Sequence, residues 1–280
     1  MSVYIDKWLE KAKVDYFHMF IQAWIPFNAW YMREFYDESA GRKSDSDIMY
    51  YIGHNDNHYR ARIVALLQNS DPDSVAFRQT LAKLQLELIS HPMPSAECQL
   101  TLDTICISPQ GGNISEVGQF GTYDIKCEYN RTLPRTSRRI KCEVINRRTA
   151  HTKHVIEQFE WNLTEFQNIR EFVNISNDNL KQKIIDVYKQ INPRKTTRIT
   201  TTPIRLNGEV FKAPKNSLLL NHNPILCVTN NVNIVAEVIV HLMYELRCKL
   251  FHGELDPLEV YQPIYQYAYE IQMMLNKEIR

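Results

Sequence analysis

Apolar side chains recur every three or four positions in several parts of the chain, which is the spacing of one buried face of an α-helix. The most regular stripe runs from Ile234 to Leu250 and predicts a helix of about five turns, capped by the asparagines before it and ended by Gly253. An aromatic stripe over residues 3–36 predicts a second long helix, in which Pro26 should produce a kink or a break.

Shorter amphipathic segments predict further helices. One begins where Asp71, a capping residue, precedes Pro72 at the first helical position, and it extends to about residue 90. A final helix is expected from a cap at Asp256 to about residue 277, and Pro263 should distort its early turns. The polar residues 37–57 are expected to form a loop. The other predicted helices cover residues 58–68, 163–173 and 179–191.

Residues 98–161 have a different pattern, in which apolar and polar side chains alternate. The alternation predicts strands at Tyr123–Tyr129, Arg139–Ile145 and His154–Trp161, separated by turn residues. We expect these strands to form an antiparallel meander. A further short strand is expected near Ile225–Val228, inside a threonine-rich, basic connector over residues 194–230.

These patterns predict an α+β chain that is mainly α-helical, with an inserted antiparallel β meander. The predicted domain boundaries are 1–95 for the N-terminal helices, 96–162 for the β-rich insertion and 163–280 for the C-terminal helices. No apolar run reaches the roughly 18 residues that a membrane span requires, and the first ten residues lack the apolar core of a secretion signal. We therefore expect a cytoplasmic protein with no membrane partner.

The six cysteines lie at least eight positions apart, so no CxxC metal or redox motif occurs. We interpret them as buried or free thiols, and we expect neither a metal nor a cofactor. His54 and His58 are four positions apart, a spacing that can bind zinc from one helix face. The helix-breaking residues beside Gly53 make this the less favoured interpretation.

Charge is balanced overall, with 33 basic and 32 acidic residues, which argues against a uniformly basic nucleic-acid-binding protein. Two segments nevertheless carry an excess of positive charge. Residues 131–154 contain eight basic residues and one acidic residue, Glu143, and residues 194–215 contain six basic residues and one acidic residue, Glu209. Such stretches can follow a phosphate backbone, or they can keep a hairpin edge from pairing with other sheets. The candidate RNA contacts are Arg135, Arg138, Arg139, Lys141, Arg147 and Arg148.

The end of the long helix carries an arginine and a histidine, Arg247 and His252, separated by four residues. A five-residue step turns about 140° around a helix, so the two side chains would not share one face of a regular helix. Either the helix frays before Gly253 and lets His252 swing back, or the pair meets its copies across a symmetric dimer interface.

This pair suits RNA cleavage without metal. Histidine can accept the proton of a ribose 2′-hydroxyl, and arginine can bind the phosphate, which would leave a 2′,3′-cyclic phosphate. The competing interpretation is that both cations only favour the negative end of the helix dipole.

The block Glu-Leu-Arg-Cys-Lys-Leu-Phe-His-Gly-Glu, from Glu245 to Glu254, resembles the HEPN superfamily, particularly its Apea-like and abortive-infection branches. The segment Trp24–Tyr31 is similar to the opening helix of these proteins, with Asn28 at a position usually taken by asparagine. The resemblance implies a HEPN-type helical bundle in which Arg247 and His252 form the endoribonuclease site of a metal-independent homodimer. Many members act in toxin or phage-defence systems. The implied partners are therefore RNA, such as tRNA or single-stranded RNA, and a cognate antitoxin or defence protein.

The sequence departs from this family at Cys248, where members commonly carry Asn, Asp or His. Some members keep the fold and only bind, so the alternative function is a non-catalytic module that holds RNA, a nucleotide or a protein. Glu245 and Glu254 are close to His252 in sequence, and either could orient its imidazole; the competing interpretation is that they are solvated helix-end charges. The candidate supporting residues are Cys248, Glu245, Glu254 and Asn28.

Overall fold

The computed structural model describes residues 14–93, 99–107, 112–133, 139–194, 196–206 and 209–279. They form two compact units. The first unit contains the described residues up to Ile107 and from Thr196 onward, and the second contains those in between. The first is mainly helical and the second combines a four-stranded sheet with helices, so the predicted α+β class is confirmed.

Most of the predicted helices are present. Within the described ranges, no helix is both long enough and apolar enough to cross a bilayer. The helices are α1 (Tyr16–Phe35), α2 (Asp45–His54), α3 (His58–Gln68), α4 (Pro72–Ser90), α5 (Leu163–Asn168), α6 (Arg170–Val173), α7 (Asp178–Gln190), α8 (Val232–Phe251) and α9 (Gln262–Leu275), with short 3₁₀ turns at Glu259–Tyr261 and Asn276–Glu278.

α1 starts where the carboxylate of Asp15 accepts hydrogen bonds from two backbone N–H groups of the first turn. The helix continues through Pro26, so the predicted break is wrong. Pro26 is exposed, while Trp24 and Phe27 on either side of it are buried. Their packing holds the helix together across the missing N–H donor. Residues 3–13 of the predicted helix lie outside the described ranges.

α2 occupies part of the segment 37–57, for which the sequence predicts a loop, so that prediction is wrong. Ser44 and Asp47 form a capping box, in which each side chain accepts a hydrogen bond from the backbone N–H of the other residue. Ile48 and Ile52 on the inner face are fully buried. The polar residues that resemble helix breakers are the cap and first turn of a helix only 10 residues long.

α8 is the long helix predicted from the apolar stripe. It is capped by Asn231 and followed by Gly253, whose φ of 64° is the left-handed conformation that glycine adopts readily. The final helix begins at Gln262, later than the start predicted after Asp256, and no distortion follows at Pro263. The 3₁₀ turn precedes α9, and Pro263 falls in the first turn of α9, where no intrahelical N–H bond is lost.

Aromatic rings dominate the core of the first unit. Phe27 of α1 stacks on Tyr59 of α3 with ring centroids 4.1 Å apart, and Phe20 lies 5.6 Å from Tyr265 of α9. The buried Tyr59 hydroxyl donates to Oε1 of Gln272 over 2.9 Å, which satisfies a polar group inside the core. These contacts tie α1, α3 and α9 together, and α8 packs against α2 and α3.

The sheet of the second unit is an antiparallel meander, as the alternating pattern predicts. Its strands are neighbours in chain order: β1 (Asn113–Phe120), β2 (Tyr123–Asn130), β3 (Ile140–Asn146) and β4 (Thr152–Gln158). The prediction lacks β1, because Glu116 and Gly118 stand on the same face as the buried Ile114 and interrupt its apolar alternation.

The second unit extends beyond the insertion predicted at residues 96–162, because the helices that follow the sheet pack on it. α7 approaches β1 so closely that a Cβ at Gly118 would lie 2.3 Å from Cγ2 of Val187. Phe166 of α5 stacks on Tyr188 of α7 with centroids 3.9 Å apart in the same core. α5, α6 and α7 therefore belong with the sheet and not with the C-terminal helices.

Cys127 of β2 and Cys142 of β3 form a disulfide, so the expectation of buried or free thiols is wrong for this pair. The two residues are cross-strand partners, both buried, with Cα atoms 4.2 Å apart. Such a separation is close to that of a non-hydrogen-bonded antiparallel pair. Only the register of β2 and β3 brings them together. Cysteines without a disulfide in the described ranges are Cys106, Cys227 and Cys248.

The connector before α8 contains more β structure than the single strand predicted near residues 225–228. Its strands are β5 (Thr200–Thr201), β6 (Ile204–Leu206), β7 (Glu209–Lys212), β8 (Ser217–His222) and β9 (Ile225–Thr229). β5, β9 and β8 form an antiparallel sheet in that order, and β6 pairs with β7. The predicted strand is confirmed as β9.

Candidate functional site

The C-terminal end of α8 carries the arginine and histidine that the sequence singles out. Leu246 and Lys249 are buried, and Arg247 lies beside them with its side chain 14% exposed. Cys248 is half-buried, and His252, directly after the last helical residue, is exposed. The apolar stripe of α8 therefore sets the position of this site.

Arg247 forms an ion pair with Asp45 of α2. Nη2 of the guanidinium lies 3.0 Å from Oδ2 of the carboxylate, whose side chain is 28% exposed. Asp45 is the first residue of α2, where the helix dipole favours a negative charge. The sequence pattern does not indicate Asp45, because it predicts a loop for this segment.

Two aromatic rings flank the guanidinium of Arg247. Its Cζ lies 4.2 Å from the ring centroid of Phe251 and 6.0 Å from that of Tyr244. Contacts of this kind restrict the plane of a guanidinium. Nε of Arg247 is buried and has no hydrogen-bond partner in the part of the chain that the structure describes. The guanidinium therefore retains donor capacity.

Cys248 lies against Arg247 and Tyr244. Its Sγ is 3.9 Å from Nη1 of Arg247. Burial raises the pKa of the Cys248 thiol, and hydrogen bonds with Tyr244 and Arg247 oppose that rise. The thiol is therefore protonated at neutral pH and adds no charge to the site.

His252 is the C-cap residue of α8. Its backbone N–H donates to the carbonyl of Cys248 over 2.9 Å, which continues the helical hydrogen-bond pattern. The helix therefore does not fray before Gly253, and the first of the two arrangements expected from the sequence is wrong. Within the described ranges, no hydrogen bond occupies the imidazole of His252.

Asn28 of α1 reaches the site through two other side chains. Its Nδ2 donates to the hydroxyl of Tyr31, which is close to the Asp45 carboxylate. Burial raises the pKa of Tyr31 to about 12; the hydrogen bond from Asn28 opposes the rise, and the Asp45 carboxylate adds to it. Asn28 and Arg247 thus belong to one network, linked by two residues that the sequence does not single out.

Glu245 and Glu254 are both exposed. Neither carboxylate forms a hydrogen bond with the imidazole of His252 in the described chain. The backbone N–H of Glu254 donates to the carbonyl of Lys249 over 3.1 Å, as part of the turn that ends α8. Both glutamates therefore stand at the helix end without orienting His252.

Lys141, a candidate RNA contact on β3, is surrounded by carboxylates. Its Nζ lies 2.8 Å from Glu143, and Glu128 and Glu157 are its partners on the neighbouring strands. The hydrogen bond and charge of Glu143, with smaller contributions from the other two, raise the pKa of Lys141. Its charge is therefore balanced within the sheet. The candidates Arg135 and Arg138 lie outside the described residues.

The other described basic candidates lie at the two ends of β3. The Arg139 guanidinium is 3.4 Å from the ring centroid of Phe159. At the opposite end, Nε of Arg147 lies 3.5 Å from Asp124, and Arg148 is exposed. An extended strand rises about 3.3 Å per residue, so roughly 25 Å separate the two ends. The positive charge is therefore divided, with carboxylates between its two parts.

A second polar cluster, which the sequence does not indicate, lies where α2 ends against α8. Nε2 of His241 is buried without a hydrogen-bond partner among the described residues, and the His54 ring centroid is 6.3 Å from that of His241. Burial, with a contribution from His54, lowers the pKa of His241 to about 4. Gly53 permits this approach, because a Cβ there would lie 3.3 Å from Nε2.

The histidines considered for zinc do not share a helix face. His54 ends α2, and its Nδ1 donates to the carbonyl of Tyr50 over 2.9 Å, whereas His58 begins α3. Across the ranges described, no three His, Cys, Asp or Glu side chains are grouped to hold a metal ion.

No protein-family model, curated protein or solved structure matches this chain.

Proposed function

We propose that this protein is a metal-independent endoribonuclease of HEPN type, in which Arg247 and His252 act on the scissile phosphate. The observation that carries the proposal is the end of α8, where Asp45 and Phe251 hold a guanidinium near the surface and an exposed imidazole follows one turn later. The resemblance of this block to HEPN proteins supports the same assignment.

His252 would act as general acid and base, because imidazole can both accept and donate a proton near neutral pH. It removes the proton of the ribose 2′-hydroxyl as that oxygen attacks phosphorus. The bond from phosphorus to the 5′-oxygen then breaks, and the leaving oxygen takes up a proton. Arg247 binds the non-bridging oxygens and stabilises their additional negative charge. DNA lacks the nucleophile and should not be cut.

A second copy of the chain completes the site in this proposal. Because α8 stays regular up to His252, that residue and Arg247 lie about 140° apart around the helix and about 7.5 Å apart along its axis. The two side chains of one copy therefore point in different directions. A two-fold dimer brings Arg247 of one copy beside His252 of the other. Phe251, 49% exposed, lies next to this interface.

Incubation with tRNA and a single-stranded RNA in excess EDTA tests the chemistry. We expect wild-type protein to produce 2′,3′-cyclic phosphate ends, and Arg247→Ala and His252→Ala to be inactive. Glu254→Ala is the matched control, since it changes an exposed residue of the same helix end. Equal cutting by all samples, or a requirement for added metal, would contradict the mechanism.

Mixing two inactive variants tests the composite site. If each site combines Arg247 of one copy with His252 of the other, a heterodimer of Arg247→Ala with His252→Ala contains one site in which both residues are intact. If both residues of a site come from one copy, neither site of the heterodimer is intact. We therefore expect activity to return after the two variants are denatured and refolded together. Continued inactivity, with heterodimers verified by mass, would place both residues of each site in one copy.

A non-catalytic binding module is the second candidate, and one observation favours it: Asp45 balances the charge of Arg247. RNA retention without cleavage, lost in Arg247→Ala, would identify this function. For either function we propose a cytoplasmic toxin or phage-defence role with a cognate antitoxin or defence partner. Rescue of growth by co-expressed neighbouring genes tests that role.

A further inference from the structure

An arginine that stabilises a transition state must present its N–H groups in a fixed direction. Phe251 restricts the plane of the Arg247 guanidinium, and Asp45 restricts its direction within that plane. We propose that Asp45 is the positioning residue for Arg247. This inference rests on the proposed ribonuclease function.

Asp45 occupies only part of the guanidinium. Nη2 contacts Oδ2 at 3.0 Å, whereas Nη1 faces Sγ of Cys248 at 3.9 Å. Arginine carries five N–H donors, so others remain for two phosphate oxygens. A carboxylate that bound the guanidinium through two nitrogens would occupy the fork that phosphate needs. The single contact aims Arg247 without occupying both nitrogens of a fork.

The position of Asp45 is itself fixed by the fold. The capping box of Ser44 with Asp47 fixes the first turn of α2. Tyr31 of α1 is close enough to Asp45 for the carboxylate to contribute to the raised pKa of its hydroxyl, and Asn28 donates to Tyr31. Side chains from α1, α2 and α8 therefore surround the ion pair of Asp45 with Arg247.

Three conservative variants test the role of Asp45. Asp45→Asn keeps the size but removes the charge, and Tyr31→Phe removes only a hydroxyl. Asp56→Asn is the matched control, because it removes an exposed carboxylate just after α2 that pairs with Arg60 and not with Arg247. We expect kcat for RNA cleavage to fall about 100-fold in Asp45→Asn and less in Tyr31→Phe, with KM close to wild type in both. Asp56→Asn should retain most of the activity.

An NMR signal gives a readout that does not depend on cleavage. The buried Nε–H of Arg247 should exchange slowly with water while the guanidinium is held, and its side-chain resonance can be assigned by its loss in Arg247→Lys. We expect this resonance to be sharp in wild type and Asp56→Asn. In Asp45→Asn it should shift or broaden.

Wild-type kcat in Asp45→Asn, faster cleavage in that variant, or an equal loss in Asp56→Asn would each overturn the positioning role. A wild-type chain that cleaves no RNA would refute the proposed function alone. In that case an unchanged Arg247 resonance in Asp45→Asn overturns the positioning role separately, and a changed one supports it.

Discussion

Acidification should destabilise the first unit through one partly buried histidine. His241 lies on α8 against the end of α2, where burial, together with His54, lowers its pKa from 6.5 to about 4. At pH values between these two, the unfolded chain binds a proton that the folded chain does not, so stability falls as the pH falls. The stabilising contribution is complete above pH 6.5 and is lost as the pH approaches 4.

The magnitude follows from the two pKa values. The interval from 6.5 to about 4 spans about 2.5 pH units, and each unit corresponds to about 1.36 kcal/mol, which gives about 3 kcal/mol in total. By about pH 4.5 about 2 kcal/mol of this is lost. Because whole domains are stable by only about 5–15 kcal/mol, the effect is measurable by urea unfolding.

His241→Phe is the informative variant, since it keeps a ring of similar size and cannot titrate. Between about pH 7 and about pH 4.5, wild type should lose about 2 kcal/mol more unfolding free energy than this variant. His54→Gln is the control for loss of the neighbouring ring, and NMR titration of His241 reports its pKa directly. An imidazole that titrates near 6.5, or equal losses in wild type and His241→Phe, would refute the reasoning.

Three further predictions concern stability. Replacing Cys127 and Cys142 together by alanine removes a disulfide between residues 15 positions apart. The free energy of unfolding of the second unit, measured with denaturant, should fall by about 3 kcal/mol. A wild-type unfolding midpoint that does not change under reducing conditions would contradict this prediction. Gly118→Ala should lower the free energy of unfolding by about 1–3 kcal/mol, because the new Cβ would clash with Val187. Adding Val187→Ala should restore part of this loss. Ser44→Ala removes the cap of α2 and should cost about 1 kcal/mol in thermal unfolding; an equal melting temperature would count against the capping box.

Elements with a long periodic pattern and a recognisable boundary could be predicted from the sequence. α8 has an uninterrupted apolar stripe between Asn231 and Gly253, and α4 begins where Asp71 precedes a proline. α2 was missed because 10 residues hold too few turns to distinguish an amphipathic helix from a polar loop. β1 was missed because Glu116 and Gly118 break its alternation.

Within the candidate site, the sequence by itself identifies Arg247 and His252, because both belong to one local block at the end of one helix. It also determines that α8 buries one face, since the apolar period is a property of consecutive residues. Only the tertiary structure places Asp45 beside Arg247 and pairs Cys127 with Cys142. These contacts depend on the packing of α2 against α8 and on the register of β2 with β3. Both bring together residues that are not neighbours in the sequence, and no local pattern indicates that they are close in space.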